Sequence, residues 1–191
     1  MPADNFSRMI QLANEFFDAK NDPSQLDIDA SVIERLTRIH PATMGEKNDE
    51  NGPVAWTIVI PASWEVMEQF LEGKINEKGL LELSEQTKNF LVPKLSLGTS
   101  LFRNAKLSFS SSVFPTRTLG TRYETIYLCS AMVLAEHRRK GLAKELLCNS
   151  IRAIQKDYRI TALFYWGFSD EGNRLSQAVA REVGLQVLER G

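Results

Sequence analysis

The feature that most constrains the fold is an alternation of apolar segments and amphipathic helices in the C-terminal part of the chain. Residues 125–134 and 161–168 contain no charged side chain. Apolar runs of this length are typical of strands that are buried on both faces of a sheet. Helical spacing of apolar residues follows each run, over 141–157 and 173–184, and a last short strand is predicted at 185–190. This order predicts an α/β fold in which some strands pair in parallel.

The preceding part of the chain is predicted to be mostly helical, with fewer strands. A β-branched run predicts a strand over 54–60, ended by Pro61, and the polar stretch 45–52 predicts an exposed loop. Alternating apolar and polar residues favour another strand within 105–114. Helical spacing of apolar residues predicts four helices, over 5–20, 29–39, 62–73 and 75–91. We therefore expect a helical extension over 1–50, packed on a core domain over 51–191.

Composition excludes several classes of protein. The 191 residues carry 23 Lys and Arg against 24 Asp and Glu, which gives a net charge of −1 and argues against a general nucleic-acid binder. Cys129 and Cys148 lie in apolar segments without a nearby metal-ligand partner, which predicts free thiols and no metal. The chain shows neither a signal peptide nor a run that could span a membrane. These observations predict a cytoplasmic protein with no nucleic-acid or membrane partner.

A run of cations ends at a glycine just before the helix over 141–157. Arg138, Arg139 and Lys140 precede Gly141, although cations at a helix N-terminus oppose the helix dipole. The free amides of a helix start bind anions, and glycine lets the backbone approach a ligand closely. The turn follows the carboxyl end of a strand, where open α/β sheets bind ligands. A phosphate or pyrophosphate site is therefore predicted, with a basic surface turn or a nucleic-acid contact as the alternatives.

The residues around this turn resemble a signature of the GNAT superfamily of acyl-CoA-dependent N-acyltransferases. The signature, [RQ]-x-x-G-x-[GA], is matched by the six residues from Arg138 to Ala143, between an apolar strand and a helix. A second family pattern is matched in part by Asn173, Ser176 and Val179 and by the pair Gly184-Leu185. The resemblance covers roughly residues 123–190. It implies a GNAT-like fold with a mixed central sheet flanked by helices.

The resemblance also implies a cofactor and its contacts. Coenzyme A would place its pyrophosphate on the amides of the turn and its pantetheine arm along the strand over 125–134. The acyl group, acetyl or another, would pass from acyl-CoA to an amine of a small molecule or peptide by direct attack in a ternary complex. The residues implied in cofactor binding are Met132, Val133, Leu134, Arg138, Arg139, Lys140, Gly141, Leu142, Ala143, Lys144 and Asn173.

The catalytic groups are less well defined by the sequence. Many members of the superfamily carry a tyrosine, the acid for the departing thiolate, where this chain has Ala180. Glu124, Cys129 and Tyr165 are the candidate catalytic residues, and a non-catalytic acyl-CoA-binding module of the same fold is the alternative function. The first ~50 residues could cover the core, shape the acceptor site or form the contact of a homodimer.

Overall fold

The computed structural model describes residues 4–17, 24–91 and 122–191. Within these ranges the chain forms six α-helices, two short 3₁₀ helices and five strands. The main elements are α1 (Asn5–Phe17), α2 (Ala30–Ile39), β1 (Met44–Asp49), β2 (Gly52–Ala62), α3 (Trp64–Leu71), α4 (Glu77–Leu91), β3 (Thr125–Val133), α5 (Leu142–Asp157), β4 (Ala162–Trp166), α6 (Asp170–Val183) and β5 (Gln186–Arg190). No helix in these ranges is both long and apolar enough to cross a bilayer.

The strands form one mixed sheet in the order β1-β2-β3-β4-β5. The first three strands pair antiparallel, and β3, β4 and β5 pair in parallel. Parallel neighbours need a crossover connection, and α5 and α6 supply the two that join β3 to β4 and β4 to β5. The mixed α/β class predicted from the sequence is confirmed.

Helices cover both faces of the sheet. Trp56 and Thr57 are neighbours on β2, so their side chains point to opposite faces. The Trp56 ring meets Phe6 of α1, whereas Thr57 lies on the side of α5, next to Gly45 and Leu146. Residues paired across β2 and β3 share a face, which places Tyr127, opposite Ile60, on the face of α1. Because Tyr127 contacts α3 and α4, those helices lie on the face of α1 and opposite α5.

Strand β3 changes character along its length. Its first residues pair with strands on both sides, but pairing with β4 stops after three positions, the last of which joins Tyr127 to Phe164. A bulge follows, because Val59 pairs with Leu128 and Ile58 with Ser130, which leaves Cys129 as the extra residue. Residues 125–128 are buried as predicted, but 129–133 are only partly buried. Strands β3 and β4 therefore separate at their carboxyl ends.

Local signals in the sequence account for most of the helices. Asp29 accepts the N–H of Val32 and caps α2, and Ser63 accepts the N–H of Val66 and caps α3. The predicted helices over 29–39, 62–73, 75–91, 141–157 and 173–184 are all present, with ends that differ by a few residues. The helix predicted over 5–20 is present to residue 17, and its last three residues lie outside the described ranges. The strand predicted within 105–114 also lies outside them.

Two predictions about strands were wrong. Residues 45–52 do not form a loop, because β1 occupies Met44–Asp49 and joins β2 through a tight turn in which Asp49 accepts the N–H of Asn51. This strand has a polar sequence because it is the edge strand and its residues from Glu46 onward are exposed. Pro61 does not end β2 either. It lies inside the strand, opposite Ile126, and β2 continues to Ala62.

Candidate functional site

A cleft of about 640 Å³ opens where β3 and β4 separate. One wall is the second half of β3, from Leu128 to Val133, and the other holds Tyr165 and Trp166 of β4. The turn before α5 closes one end, and the first turns of α6 add Ser169, Glu171 and Gly172. The edge of β3 that faces the cleft pairs with no strand in the described ranges. The backbone N–H and C=O groups on this edge are therefore available to a ligand, apart from the Val133 carbonyl, which accepts the Arg138 Nε.

The turn at the end of this cleft presents unsatisfied donors. Gly141 is the N-cap of α5 in a left-handed conformation, with φ +78°, and no side chain caps the helix. The amides of the first turn therefore have no partner from a capping side chain. A Cβ placed at Gly141 would meet no atom within 4 Å, and Gly141 and the first residues of α5 line the cleft. Arg139 is also left-handed, with φ +62°.

Cations surround the same amides. Arg138, Arg139 and Lys144 line the cleft, and the Arg138 Nε donates to the Val133 carbonyl at 3.0 Å, which fastens the turn to the end of β3. Glu145 is the one acidic residue in the first turn of α5. Positive charge therefore dominates the start of α5, where the helix dipole is also positive. An anion would interact favourably with both the cationic side chains and the positive end of the helix dipole.

The structure brings most of the predicted cofactor-binding residues together. Eight line the cleft: Met132, Val133, Arg138, Arg139, Gly141, Leu142, Ala143 and Lys144. Three others do not line it. Leu134 is buried against Met9 and Val54, and Lys140 is exposed beside the turn. The Nδ2 of Asn173 donates to Glu189 at 3.3 Å, so this side chain contacts β5.

The three predicted catalytic residues lie in different places. Glu124 precedes β3, at the end of the strand opposite the cleft, and its carbonyl accepts the N–H of Thr161 at 2.8 Å. Cys129 is the bulged residue and lines the cleft. Desolvation raises the pKa of the Cys129 thiol well above its usual value, and the Glu77 carboxylate raises it further. A thiol with a raised pKa stays protonated and is a weak nucleophile.

Tyr165 is the predicted catalytic residue best placed to donate a proton. It lines the cleft from β4, and its hydroxyl donates to the Glu189 Oε2 at 2.9 Å. Burial raises the pKa of Tyr165, and its hydrogen bond to Glu189 raises it further, so the phenol remains protonated. Ala180 is buried in the core, on α6. Its methyl group carries no proton to donate.

No family model, curated protein or solved structure matches this chain. Membership of the GNAT superfamily therefore remains a prediction. In the ranges that the structure describes, no group of three or more His, Cys, Asp or Glu side chains could hold a metal ion.

Sequence reasoning missed a buried carboxylate beside the bulge. Glu77 begins α4 and is 5% exposed. Its Oε1 accepts the Tyr127 hydroxyl at 2.5 Å, and its Oε2 accepts the N–H of Leu26 at 2.6 Å. Burial raises the pKa of Tyr127 strongly, with a contribution from Glu77. No local signal identifies this residue, because Tyr127 and Leu26, which donate to its carboxylate, lie 50 and 51 positions away in the sequence.

Glu77 also lines a second cavity, of about 710 Å³, on the α1 face of the sheet. Cys129, Ser130, Met132 and Phe168 line both this cavity and the cleft. The two spaces therefore meet along the second half of β3.

Proposed function

We propose that this protein is an acyl-CoA-dependent N-acyltransferase with a GNAT-like fold. The observation that carries the proposal is the separation of β3 from β4, which leaves a strand edge that leads directly to the uncapped, cationic start of α5. A ligand that suits this arrangement has an anionic group at one end and an extended arm with amide groups at the other. Coenzyme A has both.

The anionic end would bind at the turn. The pyrophosphate would accept hydrogen bonds from the amides of the first turn of α5, and Arg138, Arg139 and Lys144 would balance its charge. The conformation of Gly141, with open space in front of it, suits the close approach of such a group. This accounts for a helix start that is unfavourable in the absence of an anion.

The pantetheine arm would extend along β3. Its amides would pair with the backbone groups of residues 129–133 on this edge, apart from the Val133 carbonyl that Arg138 already occupies, as an added strand pairs with a sheet edge. The thioester would then lie near the bulge at Cys129, where the cleft meets the second cavity. A backbone N–H of this strand would polarise the thioester carbonyl.

The reaction would take place in the ternary complex. A neutral amine would attack the thioester carbon, the C–N bond would form, the C–S bond would break, and the amine would lose one proton while the thiolate gained one. Tyr165 would donate the proton that the thiolate gains, since it lines the cleft and stays protonated, and the proton that the amine loses would pass to water and from there restore the Tyr165 hydroxyl. Cys129 would act through its backbone at the bulge, because its thiol is held in the protonated form.

Two observations favour a non-catalytic acyl-CoA-binding module as the second candidate. The family's tyrosine acid is replaced by Ala180, and the Tyr165 hydroxyl is already donated to Glu189. The two functions differ in one measurement. Release of free thiol from acetyl-CoA in the presence of amines is expected of the enzyme, and binding of CoA without thiol release is expected of the module.

Two glycines provide a matched test of the binding site. Gly141 and Gly184 are both left-handed, with φ +78° and +69°, and a Cβ at either would meet open space, but only Gly141 lines the cleft. A carboxylate at Gly141 would repel the pyrophosphate, so Gly141→Asp should weaken CoA binding at least ~100-fold by calorimetry. Gly184→Asp carries the same backbone strain and added charge, and we expect its CoA affinity to stay within about twofold of wild type.

Either of two results would count against the proposal. One is a wild-type protein that does not bind CoA or acetyl-CoA. The other is an equal loss of affinity in both glycine variants, because the effect would then come from general destabilisation. Circular dichroism melting of both variants shows whether each is folded at the temperature of the titration.

A further inference from the structure

The second cavity is built on the face of the sheet that carries α1. Its floor consists of two rows of paired residues, Glu46–Trp56–Met132 and Met44–Ile58–Ser130, which run across β1, β2 and β3. Phe6 and Ile10 of α1 and Ile33 of α2 form the opposite side. At the inner end the floor reaches the bulge of β3, beside Glu77.

The walls of this cavity are mostly apolar and are partly open to solvent. Phe6, Ile10 and Phe168 are 57%, 38% and 45% exposed, which makes them the exposed large hydrophobic residues of the described ranges, and all three line the cavity. The Phe6 and Trp56 rings meet edge to face at 5.7 Å. Exposed apolar side chains that gather at the mouth of one cavity indicate a binding surface for an apolar group.

The charged residues in the same lining are all acidic. They are Asp27, Asp29, Glu46 and Glu77, and none of the described lining residues is Lys, Arg or His. The cleft on the other side of β3 has the opposite character, with Arg138, Arg139 and Lys144 in its lining. Anionic ligands are therefore drawn to the cleft and repelled from the cavity, and a cationic ligand is drawn to the cavity.

We propose that this cavity is the acceptor site, and that it takes a primary amine carried on an apolar body, such as a phenylalkylamine. The inference rests on the proposed function, because it uses the meeting of cavity and cleft at residues 129–132 to bring the amine to the thioester. The apolar body lies against Phe6, Trp56 and Met132. The ammonium group enters through the field of the carboxylates, loses its proton to solvent water, and then attacks the thioester carbon as a neutral amine.

The direct test measures binding of 4-phenylbutylamine to the CoA-loaded protein by calorimetry. Three comparison ligands each change one property: 4-phenylbutanol lacks the charge, 4-phenylbutyrate reverses it, and ethanolamine lacks the apolar body. We expect each of them to bind at least ~10-fold more weakly than 4-phenylbutylamine.

A pair of double variants tests the charge. Asp29→Asn with Glu46→Gln removes two carboxylates from the cavity, and asparagine still caps α2. Glu34→Gln with Glu50→Gln removes two exposed carboxylates from the same helix and the same hairpin, away from the cavity. We expect 4-phenylbutylamine to bind about tenfold more weakly to the first double variant and with unchanged affinity to the second.

The exposed ring of Phe6 tests the apolar wall, because its truncation leaves the core intact. Phe6→Ala should weaken 4-phenylbutylamine binding by about fivefold and leave ethanolamine binding unchanged.

The outcomes separate this inference from the proposed function. If the protein binds CoA but prefers ethanolamine or 4-phenylbutyrate, the acceptor assignment is overturned while the acyl-CoA site stands. If it binds 4-phenylbutylamine but not CoA, the proposed function fails, and the role of the cavity as an acceptor site fails with it. Acetylation of 4-phenylbutylamine by acetyl-CoA at subsaturating amine, reduced about tenfold in the cavity double variant and unchanged in its control, supports both.

Discussion

Helices α5 and α6 begin at the same edge of the sheet, each after a parallel strand, yet their first turns are built in opposite ways. The start of α6 is complete in itself, because the Ser169 hydroxyl accepts the N–H of Gly172 and Asp170 and Glu171 place negative charge at the positive end of the helix dipole. The start of α5 has a glycine N-cap, no capping side chain and a run of cations before it.

The difference indicates which of the two helix starts would gain from a bound anion. A helix start with its own cap and acidic residues gains nothing from an external anion, whereas one that lacks both is stabilised when an anion binds. Both first turns border the same cleft, so the comparison can be made within one protein and with one ligand.

The largest expected effect on this comparison comes from reversing one charge at the start of α5. Arg139 lines the cleft and its neighbour Lys140 does not. Arg139→Glu should weaken CoA binding by about tenfold or more, because a carboxylate would replace a cation beside the proposed pyrophosphate site. Lys140→Glu makes the same change in net charge, but the new carboxylate would act on the ligand from farther away. We therefore expect only about a twofold loss of CoA affinity. Equal losses measured by calorimetry would mean that the overall field, and not contact with Arg139, attracts the ligand.

The next effect concerns the cap of α6. Ser169→Ala leaves the N–H of Gly172 without its partner and should lower the free energy of unfolding by about 1 kcal/mol. Ser169→Asn should retain most of the stabilisation that the cap provides. Urea unfolding followed by circular dichroism measures the change. CoA affinity should stay within about twofold in both variants, since the cap serves the helix. A large loss of CoA affinity in Ser169→Ala would show that α6 also holds the ligand.

The smallest expected effect on CoA affinity distinguishes the two acidic residues in the first turn of α6. Glu171 lines the cleft and Asp170 does not. Glu171→Gln and Asp170→Asn should each reduce the stabilisation of α6 by its helix dipole, by at most about 0.5 kcal/mol. Only Glu171→Gln should tighten CoA binding, by about twofold, because it removes a carboxylate that faces the anion. Titration of the two variants at low ionic strength gives this comparison its best resolution.

The parts of the fold that local sequence determines were predicted well. The apolar stripes of the helices and the uncharged runs of β3 and β4 are visible within a window of a few residues, and so is the cation–glycine turn. The turn was also expected at the carboxyl end of a strand, which is where the structure has it.

The features that were missed depend on contacts between distant residues. The strand β1 has a polar sequence and is a strand because β2 pairs with it at the edge of the sheet. Glu77 belongs to the second cavity because Tyr127 and Leu26 hold its carboxylate. The bulge at Cys129 exists only in the register of β3 against β2. None of these leaves a pattern in a short stretch of sequence.

The bulge at Cys129 also bears on insertions and deletions in this strand. Leu128 and Ser130 pair with the adjacent residues Val59 and Ile58, so the ladder with β2 is continuous on either side of Cys129. Loss of this single codon would leave every other residue of β3 opposite its present partner, whereas loss of a codon elsewhere in the strand would move side chains to the wrong face. Deletion of Cys129 would therefore keep the register of β3 against β2 and would change the shape of the cleft that Cys129 lines.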